Sequence, residues 1–179
     1  STIAIRQTSR AASARLTQRV AEAELHLERG DYELALADVS GIAPHGEIGL
    51  KAGLIRSRAL IRQNQWDAAQ RVLLELSETQ PVSAVWAGLA EASAVTDPER
   101  SAHYRQLFAR TERDTAMDYY LRALVESDDE RAIELLTKAL ELEPEFFPAR
   151  LSRSLRYYSL AEFEEARRDA EVAVSQRPE

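Results

Sequence analysis

The chain has 179 residues, 45% of them apolar, with no cysteine and a formal charge of -7. That is material for one or two packed domains, and it excludes a disulfide framework or a cysteine-ligated zinc site. The first 80 residues hold ten basic and ten acidic side chains, so the negative excess lies entirely in the second part; such a surface repels phosphate backbones and anionic lipid, and no nucleic-acid or membrane partner is expected.

Residues 1–11 show no clear pattern and predict a leader of low order, or the remnant of an earlier unit. Opening at Ser1 and stopping at Glu179 in mid-pattern, the chain reads as a piece of something longer. From residue 12 onward the apolar residues recur at intervals of three and four, the helical period. In the first unit, Gly30 of "GDYELA" is a left-handed stop and Asp31 the cap of the next helix. In the second, Leu54, Ile55, Leu60 and Ile61 precede the turn "NQWDAA", and Val72, Leu73 and Leu76 follow it, closed by Pro81. The third places Trp86, Leu89 and Ala90 before "TDPERSA", where Pro98 suits a first helical turn. The fourth opens on Tyr119, Tyr120 and Ala123; Ser127 and Glu130 of "SDDERA" form a candidate capping box before "AIELLTKALELEP". The fifth runs through Ser154 and Tyr157 to "AEFEEA", then Ala173 and Pro178. No alternating apolar–polar run predicts a strand.

Anchored on an alanine, these phrases share one frame. Ala35 and Ala69 are 34 residues apart, as are Ala132 and Ala166, and Ala102 divides the remaining interval of 63. Pro81, Pro144 and Pro178 keep the same beat. A period near 34 marks a supersecondary unit that buries its apolar face only by stacking on its neighbours. The anchor alanines are small because helices cross closely there. Tyr32, Trp66 and Phe163 lie at the turns as staples that pack each hairpin.

On these residues the chain resembles the tetratricopeptide repeat (TPR) family, whose units set an aromatic, a leucine and a small residue in a first helix, then alanine, a large apolar residue and a small one in a second, then proline. The resemblance implies an all-α, right-handed superhelical solenoid of antiparallel helix pairs over residues 12–179, in five units of about 16–46, 50–83, 83–112, 113–146 and 147–179. Units one and three are degenerate. In unit three Gln106 holds a slot that wants a large apolar side chain, and the closing proline is absent.

In proteins of this kind the first helices line a concave surface that takes peptides or protein segments. Fifteen, eleven and eight residues before each anchor alanine lie Val20, Glu24 and Leu27; Leu54, Arg58 and Ile61; Ala87, Glu91 and Ala94; Met117, Leu121 and Leu124; and Leu151, Leu155 and Tyr158. The expected partner-binding groove is Leu54, Arg58 and Ile61 with the apolar row Met117, Leu121, Leu124, Leu151, Leu155 and Tyr158. Arg58 is its lone cation and Asn64 falls in a turn, so the carboxylate-gripping set of some family members is missing. The apolar row suits a helix in a groove, or cover by a following helix, by the chain's own N-terminal segment or by a second copy of the chain.

Chemistry is not indicated. His26, His45 and His103 are far apart and lack metal-ligand spacing, no GxSxG elbow or phosphate-cradling glycine loop occurs, and Asp128–Asp129 and Glu164–Glu165 point to different sides of their helices. No catalytic residue, metal or cofactor is therefore expected. The sequence predicts a protein-interaction module or scaffold; the alternatives are a docking or regulatory segment of a larger bacterial enzyme, such as a signalling kinase or transferase, and a self-association module. Lysine occurs only as Lys51 and Lys138 against many arginines, the balance of a GC-rich bacterial source, and without a spanning helix or leader the expected compartment is the cytoplasm.

Overall fold

Apolar residues on one stripe, punctuated by turn residues every dozen or so positions, fold into ten helices. The computed structural model describes the backbone of residues 2–176 and the side chains of residues 9–176. In chain order the helices are α1 (Thr2–Glu28), α2 (Tyr32–Asp38), α3 (Gly46–Arg62), α4 (Trp66–Thr79), α5 (Ser83–Ser93), α6 (Pro98–Thr111), α7 (Ala116–Val125), α8 (Asp129–Leu142), α9 (Phe147–Ser159) and α10 (Phe163–Ser175). No strand occurs among the described residues. The pairs α1–α2 through α9–α10 are five hairpins, and successive hairpins stack. The expected leader differs: the backbone from Thr2 onward is continuous with α1. Pro178 lies outside the described residues.

Three of the five turns inside the hairpins have one design. Gly30, Asn64 and Ala161 each sit five residues before an anchor alanine, and each has positive φ, at 81°, 59° and 60°. Behind each, the next amide reaches back to a carbonyl in the helix just ended: Asp31 to His26, Gln65 to Leu60 and Glu162 to Tyr157, at 2.9 Å in every case. This is the Schellman closure, which satisfies carbonyls that the helix leaves open. The other caps use side chains. Asp97 accepts from the Arg100 amide at 2.9 Å, just ahead of Pro98, and Asp128 accepts from the Arg131 amide at 2.9 Å. The cap of α8 is therefore Asp128; the expected box of Ser127 and Glu130 does not form, because the Ser127 hydroxyl donates to Glu91 of α5.

Ala35, Ala69 and Ala132 are fully buried at helix crossings and Ala166 nearly so. Ala102 breaks the frame: it is exposed, and Ser101 takes the buried slot with its hydroxyl donating to the Ala90 carbonyl at 2.6 Å. This one-residue slip turns Tyr104 inward, where its ring stacks on Trp86 at 6.2 Å, and leaves Gln106 exposed. Unit three thus closes on itself by an aromatic pair instead of a leucine. Tyr32 and Trp66 pack against the core as staples, whereas Phe163 is exposed, because α10 packs only on α9, and its ring meets Tyr158 edge-on at 5.7 Å.

Two features set the overall path. First helices pack on the next first helix throughout, but α3 also packs on α7, and α1 on α9, so the inside of the curve closes on itself. Second helices α2, α4 and α8 each pack on the first helix of the following unit; α6 packs on α5 alone.

Candidate functional site

The structure brings the expected groove residues of α3, α7 and α9 to the inside of the curve, but it does not leave them open. Leu54, Arg58, Ile61, Leu121 and Leu124 are buried, Leu151 and Leu155 are half-buried, and only Met117 and Tyr158 are exposed. For the five buried residues the expectation of an open groove is corrected. The physical cause is the closure of the curve: Leu54, Ile61, Leu121 and Leu124 share one apolar core in which α3 packs directly on α7, and Arg58 is buried against Glu28 of α1. Val20, Glu24 and Leu27 of α1 are buried as well. Of the remaining inner positions, Ala87 and Glu91 are half-buried and Ala94 is exposed.

At the centre of this closed interior lies a cluster of charges. The Glu28 carboxylate of α1 accepts from the Arg58 guanidinium of α3, and Arg156 Nε of α9 stands 3.2 Å from it. Arg156 is almost fully buried and uses the rest of its fork to cap α7, with Nη2 donating to the Ala123 and Glu126 carbonyls at 2.7 Å each and Nη1 donating to Asp129 at 2.6 Å. Ser152 of α9 donates to Glu24 of α1. Buried charges persist in a fold only when paired and hydrogen-bonded, and these are. Burial pushes the Glu24 carboxyl above its ordinary value, against the pull of the Ser152 hydroxyl, and pushes the Arg58 guanidinium down, with Arg156 adding to that fall. Burial also raises the Tyr120 hydroxyl well above 10.0.

Sequence reasoning named Glu24 and Arg58 as inner residues but missed Glu28, Ser152 and Arg156. A signal was present: Glu24 and Glu28 are spaced i, i+4 on an otherwise apolar face, and arginine stands at neighbouring frame positions in units two and five. His26 is no ligand; its Nδ1 lies 2.7 Å from Asp38 at the end of α2. No group of acidic and histidine side chains among the described residues could hold a metal ion.

Below the charge cluster, where α1, α3, α7 and α9 meet, the interior opens into an apolar cleft of about 320 Å³. Val20, Ile48, Tyr120, Phe147, Pro148 and Leu151 line it. Lys51 stands at its rim, 5.1 Å from the Tyr120 ring centre and 2.7 Å from Glu47. Leu151 is the member of the expected groove that this cleft keeps accessible. At the opposite end a polar pocket of about 190 Å³ lies over Arg58, Arg62 and Arg156.

No family model matches the chain, and no curated protein does either. Among solved structures it is similar to a MamA protein, at 17% identity and a TM-score of 0.47 over 92% of each chain. It is also similar to the MamA 41-end chain from Desulfovibrio magneticus RS-1, at 16% identity and 0.49 over 90% of this chain and 94% of that one. A tetratricopeptide repeat protein from Parabacteroides merdae ATCC 43184 gives 13% identity and 0.49 over 91% and 67%. None of the described helices is long and apolar enough to cross a membrane. With five antiparallel helix pairs, anchor alanines 34 residues apart and left-handed turns at one frame position, the fold is an all-α, TPR-like solenoid.

Proposed function

We propose that the protein is a non-catalytic interaction module that holds a peptide or protein segment by an apolar side chain inserted between α1, α3, α7 and α9. The observation that carries this reading is the apolar cleft of about 320 Å³ at the mouth of an interior otherwise filled by the chain's own side chains. A concave, largely apolar site with a few polar groups at its rim is the usual form of a binding pocket. Here Lys51 and Glu47 supply the rim, buried Glu24 lies at the inner end, and the rings of Tyr120 and Phe147 supply the walls. Burying one large apolar side chain there is worth about 1.5–3 kcal/mol, enough to anchor a segment held elsewhere by main-chain contacts.

The test is a selection of displayed dodecapeptides on the purified protein, followed by fluorescence anisotropy with the labelled winners on wild type and on Leu151→Asp. Leu151 is half-buried at the cleft, so the substitution spoils the pocket without opening the core. The expected result is a shared apolar residue among the winners and binding weaker by about tenfold or more in the variant, corresponding to loss of one anchor's burial, with the helical circular dichroism unchanged. Winners that bind both proteins equally, or a selection that enriches nothing, would refute the reading.

A further inference from the structure

The polar pocket of about 190 Å³ at the far end of the interior carries a charge that its own lining does not balance. Arg29 just beyond α1, Arg58 and Arg62 of α3 and Arg156 of α9 line it, and against these four guanidiniums stand two carboxylates, Glu28 of α1 and Asp129 of α8. The lining therefore holds an excess of two positive charges. Glu24 and Glu91, whose charges Arg58 also feels, line other clefts, and burial raises both carboxyls toward the neutral form.

The pairing inside the pocket is incomplete. Arg58 and Arg156 are both almost fully buried, and they share the one carboxylate of Glu28. Arg156 has Asp129 and two carbonyls besides, but Arg58 has only the Leu124 carbonyl at 3.5 Å, and its Nε is uncommitted. At the mouth, exposed Arg62 donates through Nε to the Tyr32 hydroxyl at 3.3 Å and through Nη1 to the Ser127 carbonyl at 3.2 Å, which fixes the fork and leaves Nη2 free. The exposed guanidinium of Arg29 bonds to no other described residue. Neither Arg29 nor Arg62 forms an ion pair among the described residues. Uncommitted donors thus come from three separate side chains around one small space. A carboxylate is planar and is met by a single fork, whereas a phosphate monoester has three terminal oxygens and close to two negative charges near neutral pH. The second matches both the number of forks and the excess of charge.

We propose that this pocket is a phosphate site, which takes a phosphate dianion, free or as a monoester, on the guanidiniums of Arg29, Arg58 and Arg62, with Arg156 adding its charge. The site is separate from the cleft at Leu151 and does not rest on the function proposed for it.

The probe is inorganic phosphate, titrated into the purified protein at about pH 7.5, where it is largely dianionic, and followed by calorimetry against acetate at equal ionic strength. Phosphate binds saturably and acetate is weaker by about tenfold or more, because it brings one charge to one fork. The double variant Arg29→Gln, Arg62→Gln weakens phosphate binding by about tenfold or more. Arg105→Gln with Arg110→Gln, which removes the same charge from the exposed face of α6, leaves it unchanged. Arg29 and Arg62 are exposed, so the double variant keeps the fold; if circular dichroism shows otherwise, Arg29→Gln alone is the substitute. A labelled peptide with one phosphoserine and its unphosphorylated twin, read by anisotropy, identify the source: a bound phosphopeptide with an inert twin assigns an ester on a protein, and phosphate bound without the phosphopeptide assigns the free ion. No saturation by about 10 mM phosphate, acetate bound as tightly as phosphate, or phosphate binding that survives the Arg29, Arg62 variant or falls equally in the α6 variant overturns the proposal.

Discussion

The contact between α1 and α9 and the gap between α6 and α7 are opposite departures from the same repeat. A linear stack needs no contact between its first and last units, yet unit one is tied to unit five through Glu24–Ser152 and Glu28–Arg156. The stack does need each second helix to support the next first helix, yet the α6 backbone packs on α5 alone and meets α7 through the Phe108 ring under Arg122. The difference teaches that curvature in such a fold is set by a few slots: buried charges of opposite sign draw distant first helices together, and a polar residue in one groove lets adjacent units part.

The largest test of that contrast is Arg156→Ala. The substitution leaves Glu28 and Asp129 short of a partner and the Ala123 and Glu126 carbonyls uncapped in a buried site. Removing one partner of a buried pair costs about 3–5 kcal/mol. Urea unfolding followed by circular dichroism measures it, and a loss under about 1 kcal/mol, the ordinary size for an exposed pair, would show that the seam contributes nothing special.

The pH dependence of the same seam gives a second test. Burial raises the Glu24 carboxyl above its ordinary value of 4.5, so the folded protein binds that proton more tightly than the unfolded chain does. The stability this provides is complete below about 4.5 and is lost as the pH rises through the folded pKa. Glu24→Gln keeps an acceptor for the Ser152 hydroxyl and removes the charge. The variant is therefore expected to be more stable than wild type near pH 7, with the difference shrinking toward pH 4.5. Urea midpoints that coincide near neutral pH contradict it.

At the gap the corresponding deletion is small. Arg122→Ala removes the stacking on Phe108 at 4.8 Å and two loose ion pairs, to Asp118 at 3.6 Å and Glu112 at 3.8 Å. Both ion pairs are long and buried Asp118 keeps its bonds from the Ser83 hydroxyl and the Arg113 amide, so these contacts contribute about 0.5–1 kcal/mol each at most. Thermal unfolding should show a loss of roughly 1 kcal/mol; a loss as large as that of Arg156→Ala erases the distinction between the two regions.

How much of this was legible in the sequence depends on range. The helical hairpins, the burial of Ala35, Ala69 and Ala132 and the left-handed stop at Gly30 follow from local spacing and turn chemistry, which act within one unit. The slip that exchanges Ala102 for Ser101 was hidden, because both residues are small and only the pairing of Tyr104 with Trp86 decides between them. The groove was misread for a longer-range reason. The frame identifies Leu54, Leu121 and Leu124 as inner residues correctly, but whether the inside is open depends on curvature, and that rests on Glu28 meeting Arg58 and Arg156 from units far apart in the chain.

The smallest prediction concerns the turns, where the repeat is most regular. Ala161 adopts φ of 60° in the position that Gly30 fills at 81°, and it closes the α9–α10 hairpin with the same 2.9 Å bond behind it, from Glu162 to Tyr157. A β-carbon in this conformation costs about 1–2 kcal/mol, and glycine returns part of that through the greater freedom of its unfolded chain. Ala161 is exposed, so no packing is lost on substitution. Ala161→Gly should therefore raise stability by about 0.5–1 kcal/mol, read as a higher urea midpoint. A lower midpoint would mean that the left-handed turn, and with it the shared geometry of the hairpins in units one, two and five, is wrong.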